Sequence, residues 1–367
     1  MAASSNALIL MMAGGTGGHV YPALAVAREL LERGYRVQWV GTKRGLEHRV
    51  VPAAGIQLHC LAVRGVRGKS LFHTVLGMLA LAWASLQALW LVMRLSPSVV
   101  VGMGGYAAGP AGLAAWLLRK PLLIHEQNAV AGTTNRLLAP LARKVVGGFT
   151  APFGDKIDVL ALGNPVRREL IETAAHTDYE FDGTRPLRLL VLGGSLGARP
   201  INQLVPGAVE RVRQAAQGRL QVWHQSGVDH IDDVRSAYGD VAPGEVQVMP
   251  FIVDMAAAYS WADLVLCRAG ALTLAELAIM GRPSLLVPLP QAIDDHQNAN
   301  ARSLTACGAA QLLPQTDLTA EVLSVTLLDY LQHPARLTAM ASAARMAGKP
   351  QATQAVADCC EELLHGR

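Results

Sequence analysis

A chain of 367 residues, 51% apolar and only 16% charged, has the makings of two domains with large cores and excludes a disordered chain. The net charge of +4 permits contact with an acidic surface or a phosphorylated substrate but does not call for nucleic acid. Five cysteines (Cys60, Cys267, Cys307, Cys359, Cys360) with no C-x-x-C pair exclude a disulfide framework or zinc ribbon and point to a reducing cytosol. Met1 to Asn6 is short and polar and has none of the features of a signal peptide.

In chain order, strands alternate with helices. The run 7–12 reads as a buried strand ending in Gly14-Gly15-Thr16-Gly17-Gly18-His19, with a helix over 22–33 and a second strand over 36–41. Strands over 99–101 and 122–124 end in Gly102-Met103-Gly104-Gly105-Tyr106 and His125-Glu126-Gln127-Asn128. The scheme restarts with a strand over 188–192, the turn Gly193-Gly194-Ser195-Leu196-Gly197-Ala198-Arg199, strands over 264–266 and 284–287, and an Ala-rich helical end. This pattern predicts two doubly wound parallel-sheet domains of the Rossmann kind, with the boundary near Gly163-Asn164-Pro165 and the ligand in the cleft between them.

Between Leu71 and Met93 no residue is charged. As a helix this stretch would extend about 35 Å, enough for a bilayer core of about 30 Å. It lies between two strands of one sheet, however, and His73, Thr74, Ser85 and Gln87 interrupt it. The preferred reading is a scaffold helix partly exposed as a membrane-surface patch, with Arg64, Arg67 and Lys69 facing anionic headgroups.

Glycines in the first loop let the backbone approach a ligand, and the helix start offers N–H groups to an anion. No acid closes the second strand near Val40, which disfavours a dinucleotide-dependent oxidoreductase. His19 and Glu126 are the candidate general bases, each weighed against a purely structural hydrogen-bonding role. In the second half, Gly193-Gly194-Ser195 and the helix start at Ala271 to Thr273 suit a diphosphate, with Arg199 within reach of the same anion. Glu276 suits a ribose diol, and Asp294-Asp295-His296-Gln297 reads as a sugar-contacting loop rather than a metal site.

Together these motifs, with Gly163-Asn164-Pro165-Val166-Arg167, Phe251 to Met255, Ala271 to Glu276 and Gln297, resemble the MurG family of bacterial peptidoglycan N-acetylglucosaminyltransferases along nearly the whole chain. The resemblance implies a GT-B fold: two Rossmann-like domains, over 1–164 and 165–345, whose parallel sheets face across a cleft, with a C-terminal helix over 346–367 packing back on the first. It implies an inverting hexosyltransferase that moves N-acetylglucosamine from UDP-N-acetylglucosamine to the C4 hydroxyl of the undecaprenyl-pyrophosphoryl N-acetylmuramoyl pentapeptide, turning lipid I into lipid II. It assigns donor contacts to Thr16, Gly17, Gly18, Asn128, Arg167, Ser195, Ile252 (backbone to uracil), Ala271, Leu272, Thr273, Leu274, Ala275, Glu276 (ribose) and Gln297, and places His19, Glu126, Tyr106 and Asn135 near the acceptor. Leu196 stands where many members have Gln, and 290–297 departs from some in length and polarity.

The resemblance further implies no tightly bound cofactor or metal, with free Mg²⁺ at most assisting. It implies a peripheral place on the cytoplasmic face of the inner membrane, anionic lipid as a contact, and other cell-wall assembly proteins as partners. The rival reading is a UDP-N-acetylglucosamine epimerase of the same fold, which needs no lipid acceptor; a sugar-nucleotide binding module without chemistry is a further one. On the favoured reading the second glycine loop serves the donor diphosphate and the first serves the lipid-linked acceptor.

Overall fold

The computed structural model describes residues 7–63, 71–194, 197–241 and 244–366, with backbone only for 71–76 and 293. Met1–Asn6, Arg64, Arg67, Lys69, Ser195 and Leu196 lie outside the described residues, as do the side chains of His73 and Thr74. The chain divides into two units, 1–167 with 350–367, and 168–349.

The first unit runs β1 (Leu8–Met12), α1 (Gly17–Glu32), β2 (Arg36–Gly41), α2 (Glu47–Ala53), β3 (Gln57–Cys60), α3 (Leu71–Leu95), β4 (Val99–Gly102), α4 (Ala108–Leu117), β5 (Leu122–Glu126), α5 (Thr133–Leu138), β6 (Lys144–Gly147) and β7 (Leu160–Ala161). Its seven strands are all parallel, in the order β3-β2-β1-β4-β5-β6-β7. Both faces are covered, so the central strands are apolar without alternation. Ile9 and Met11 of β1 enter the core beneath α1, while Leu10 and Met12 enter the opposite core with α3 and α4.

The second unit runs α6 (Arg168–Ala175), β8 (Leu187–Leu192), α7 (Arg199–Ala215), β9 (Leu220–Gln225), α8 (Ile231–Tyr238), β10 (Val246–Met249), α9 (Met255–Trp261), β11 (Leu264–Cys267), α10 (Ala271–Met280), β12 (Ser284–Leu286), α11 (His296–Ala306), β13 (Ala310–Leu312), α12 (Ala320–Gln332) and α13 (Pro334–Ala347). Its parallel sheet has the order β10-β9-β8-β11-β12-β13. The final helix, α14 (Ala352–Leu364), returns to the first unit, where Val356, Ala357, Cys359, Cys360 and Leu363 join the core beneath α1. Arg33, at the C-terminal cap of α1, holds it in place through Asp358 at 2.6 Å and Glu361 at 3.0 Å.

Two boundaries differ from the sequence reading, and both bear on function. Helix α1 starts at Gly17 rather than at Pro22, because the Thr16 carbonyl already accepts the His19 and Val20 amides at 3.2 Å each. Pro22 then sits inside the helix, where it lacks the N–H of only one bond. Strand β5 continues past Ile124, because β6 extends the ladder by pairing His125 with Val146 and Glu126 with Gly147. His19 therefore lies in the first turn of a helix, and His125 and Glu126 lie on a strand rather than in a loop.

Helix α3 does fill the apolar stretch. Ala84, Ala88, Leu91 and Val92 face the core at helical spacing, while Met78, Leu79, Leu81, Trp83, Leu86, Trp90 and Met93 are exposed. The part over Gly77–Leu95 is long and apolar enough to cross a membrane. It nevertheless connects β3 and β4 of a single parallel sheet, so it serves as a surface helix of that sheet.

Candidate active site

In each sheet the strand order reverses beside the first strand, between β1 and β4 and between β8 and β11. Doubly wound sheets bind ligands at the carboxyl ends of the strands at that reversal. The predicted motifs gather at these two places, one in each unit.

In the first unit, Gly15 (φ 94°) turns the chain out of β1, and Thr16 enters α1 with no side-chain cap and no acid in the first turn. The loop after β4 packs on it backbone to backbone: a Cβ on Gly105 would collide with the Gly14 carbonyl, and one on Gly104 would stand 2.7 Å from His19 Nδ1. Both residues have φ near +90°, so glycine is required twice over. Tyr106 is exposed at the end of this loop. His19 is half-buried, and its Nδ1 lies 2.8 Å from Gln127 Oε1.

Glu126 is 1% exposed, and both its oxygens are occupied. Oε1 accepts from Asn128 N at 2.9 Å and Asn128 Nδ2 at 3.1 Å; Oε2 accepts from Asn135 Nδ2 at 2.8 Å and Gly132 N at 3.1 Å. A carboxylate filled by four donors is a brace for its loop, and this geometry speaks against Glu126 as a proton acceptor. Asn135, placed beside the acceptor by the sequence reading, is also 1% exposed; its Nδ2 holds Glu126 and the His125 carbonyl from inside. Asn128 stays half-buried with its amide nitrogen turned to Glu126, and Arg167 lies over the Tyr21 ring at 5.8 Å.

His125 is fully buried, with Nε2 3.0 Å from the Gly163 carbonyl and Nδ1 3.2 Å from Gln127 Nε2. Burial pushes its pKa down to about 4. Asn164 bonds the Gln127 carbonyl at 3.0 Å, so the Gly163-Asn164 segment seals the end of β5.

In the second unit, Gly193 and Gly194 (φ 76°) leave β8 and α7 begins at Arg199, which places Arg199 in that helix's first turn. Ser195, the hydroxyl expected here, lies outside the described residues. Gln225 at the end of β9 accepts the Ile252 amide at 3.0 Å, which leaves the Ile252 carbonyl as that residue's backbone group for a base. After β11, Gly270 opens α10 with no side-chain cap and no acid in the first turn. Leu272, Thr273 and Ala275 are half-buried along this start, whereas Ala271 and Leu274 are buried, so the side chain of Leu274 serves the core. Glu276 is buried, and its Oε2 accepts the Tyr259 hydroxyl at 3.0 Å. Gln297 Oε1 accepts the Leu289 amide at 2.9 Å, which keeps its NH₂ for other partners and ties α11 to the segment after β12. Asp294 and Asp295 both have φ 54° in the turn before α11. Among the described residues no three His, Cys, Asp or Glu side chains cluster as a metal site.

The sequence profile of the glycosyltransferase family 28 N-terminal domain matches residues 9–146, and that of the family 28 C-terminal domain matches residues 188–358. The chain belongs to glycosyltransferase family 28. Among family relatives, the UDP-N-acetylglucosamine–N-acetylmuramyl-(pentapeptide) pyrophosphoryl-undecaprenol N-acetylglucosamine transferase of Stutzerimonas stutzeri is 51% identical over 98% of this chain and 99% of its own. The enzyme of that name from Alkalilimnicola ehrlichii is 52% identical over 96% of this chain and 98% of its own. The crystal structure of Acinetobacter baumannii MurG superposes with a TM-score of 0.80 at 40% identity, covering 97% of this chain and 99% of that one. A putative UDP-N-acetylglucosamine 2-epimerase from Listeria monocytogenes shares the fold at a TM-score of 0.67 and 15% identity, covering 99% of this chain and 98% of that one. With these relatives the two-domain GT-B architecture expected from the sequence stands.

Within the family 28 frame, several supporting residues escaped the sequence reading. Glu47 of α2 is fully buried and bonds Gly15 N. Gln225 and Tyr259 orient Ile252 and Glu276. Arg268 reaches the Val287 and Pro288 carbonyls and Gln315 Oε1, and Asn300 Nδ2 holds the Ala269 carbonyl at 3.1 Å. Each acts across 17 to 47 residues of chain, where local pattern carries no signal. Glu47 is the exception, since an acid opening a helix after Gly45 is a local signature of a helix start.

Proposed function

We propose that this chain transfers N-acetylglucosamine from UDP-N-acetylglucosamine to the C4 hydroxyl of lipid I, with inversion at the anomeric carbon, to give lipid II. The observation that carries this reading is the 51% identity to a named transferase of that reaction along 98% of the chain, which spans the motifs of both units.

The second unit takes the donor. The uncapped start of α10 after Gly270, Thr273 and the Gly193-Gly194 turn with Ser195 meet the diphosphate. Their donors are aimed where charge grows on the departing UDP. The Ile252 carbonyl meets uracil, Glu276 meets the ribose with Tyr259 behind it, and the Gln297 NH₂ meets the sugar. The first unit takes the acceptor. Gly15 N is already bonded to Glu47, so Gly17 and Gly18 at the start of α1, beside Thr16, are the backbone donors for the lipid-linked diphosphate. Tyr106 lines the approach.

Inversion requires one in-line displacement. His19 removes the hydroxyl proton through Nε2 as the oxygen attacks, and Glu126 holds its loop through Asn128 and Asn135. No resident metal takes part, and free Mg²⁺ at most assists. The exposed apolar face of α3, with Trp116 and Leu117 of α4, rests on the anionic cytoplasmic surface of the inner membrane, where the acceptor resides and where cell-wall assembly partners are met.

Incubation with labelled UDP-N-acetylglucosamine and a lipid I analogue, with and without EDTA, tests the proposal. Label in the lipid supports it. Label that stays in the sugar nucleotide while the sugar epimerises would replace it with the epimerase reading.

A further inference from the structure

The hydrogen bonds that run from Gly163 to His19 have a fixed direction. The Gly163 carbonyl can only accept, so His125 Nε2 must carry a proton to make its 3.0 Å contact. His125 is neutral, since burial holds its pKa near 4, and its Nδ1 is therefore a bare acceptor. The Gln127 atom 3.2 Å from that nitrogen is then the NH₂ group, which also approaches the His125 carbonyl at 3.4 Å. The opposite end of the amide, the oxygen, faces His19 Nδ1 at 2.8 Å. An amide oxygen cannot donate, so His19 Nδ1 bears the proton. Nothing is left to choose along this path, because a backbone carbonyl at one end orders every group up to the other.

We infer that Gln127 is a positioning residue whose side-chain amide locks His19 in the Nδ1–H tautomer, so that Nε2 is presented bare toward the acceptor hydroxyl. His19 Nε2 has no hydrogen-bond partner among the described residues. The ring packs against the Gly104 backbone, where a Cβ would stand 2.7 Å from Nδ1 and 2.8 Å from Cε1, so its place is fixed as well as its proton. Gln127 itself is 1% exposed and does not touch substrate. An amide differs from a carboxylate here: it orients the imidazole without adding a charge beside it.

The inference rests on the reading of His19 as general base, and the test separates the two. Protein labelled with ¹⁵N-histidine is followed by NMR at a pH where His19 is neutral, with its signals assigned by their loss in His19→Gln. The expected result is Nδ1 protonated and Nε2 unprotonated in the wild type, with the alternative tautomer populated in Gln127→Met. In the transfer assay, Gln127→Met loses about 100-fold in kcat, with the KM for UDP-N-acetylglucosamine within about twofold. Gln127→Glu, which keeps an acceptor for Nδ1–H, recovers part of that loss. A wild-type His19 protonated on Nε2 overturns the inference, as does a folded Gln127→Met with wild-type kcat. Normal turnover by His19→Ala would instead overturn the base reading, while the NMR result would still decide the tautomer.

Discussion

Glu47 Oε2 accepts the Gly15 N–H at 2.9 Å, so a buried carboxylate takes up one backbone donor of the first glycine loop. Its other oxygen accepts from Thr42 N and Thr42 Oγ1, each at 2.8 Å. The loop is braced from within the protein before any substrate arrives. In Glu47→Ala three donors lose their acceptor at once, and a loss of about 3 kcal/mol or more in urea denaturation is expected. Glu47→Gln, which keeps one acceptor oxygen, should fall between that variant and the wild type. Stability unchanged in both would mean that the brace contributes nothing.

The pairing of Asn135 with Glu126 makes a second expectation. Asn135→Ala removes one of two donors from Glu126 Oε2 and should cost about 1–3 kcal/mol. Because the two side chains share one network, combining it with Glu126→Gln should cost less than the sum of the single changes by at least about 0.5 kcal/mol. Turnover should fall in both single variants while the shape of the pH–rate profile is retained. A profile that loses its acid limb only in Glu126→Gln would restore Glu126 as the base.

Acid should weaken both units. His125 in the first unit and His224 in the second are buried and neutral, with pKa values held down to about 4 from the usual 6.5. Between those values the unfolded chain binds a proton at each that the folded chain refuses, so stability is full above about 6.5 and falls as pH drops toward 4. Each histidine accounts for up to about 3 kcal/mol over that window. Urea midpoints should decline from about pH 7 to about pH 5. His224→Gln, whose amide does not titrate, should flatten the decline in the second unit. Constant midpoints in the wild type would contradict the assignment.

The exposed face of α3 should decide membrane contact without touching the fold. Trp83 and Trp90 are 59% and 56% exposed, and Arg94 lies over the Trp90 ring at 5.1 Å. In Trp83→Ser with Trp90→Ser, cosedimentation with anionic vesicles should drop at least about tenfold. The thermal midpoint should stay put, since Ala84, Ala88, Leu91 and Val92 keep the packed face. Undiminished cosedimentation would place the contact elsewhere.

Much of this was legible in the sequence. The glycines at Gly14, Gly102, Gly193 and Gly270 mark strand ends, and where backbones approach closely, as Gly105 does Gly14 and Gly193 does Gln225, no other residue fits. The apolar strands are equally plain, since a parallel sheet covered on both faces needs no alternation. Two things were not legible. The start of α1 was hidden because Pro22 reads as a first-turn residue, whereas its missing N–H is tolerated further in. The roles of Glu126 and Asn135 were hidden because a carboxylate beside an active loop looks the same in sequence whether it faces substrate or its own backbone. Only the positions of Gly132 and Asn135 distinguish the two.

Helix α14 carries a consequence for biosynthesis. The core beneath α1 includes five side chains from residues 356–363, so the first unit to leave the ribosome cannot be finished until nearly the whole chain has followed. The second unit, drawn from the uninterrupted stretch 168–349, faces no such delay. Synthesis and folding thus run in opposite orders: the domain made first is completed last. Until residues 352–364 emerge, the nascent first domain exposes the apolar face of α1 that Val356, Cys360 and Leu363 later cover, in addition to the exposed apolar face of α3.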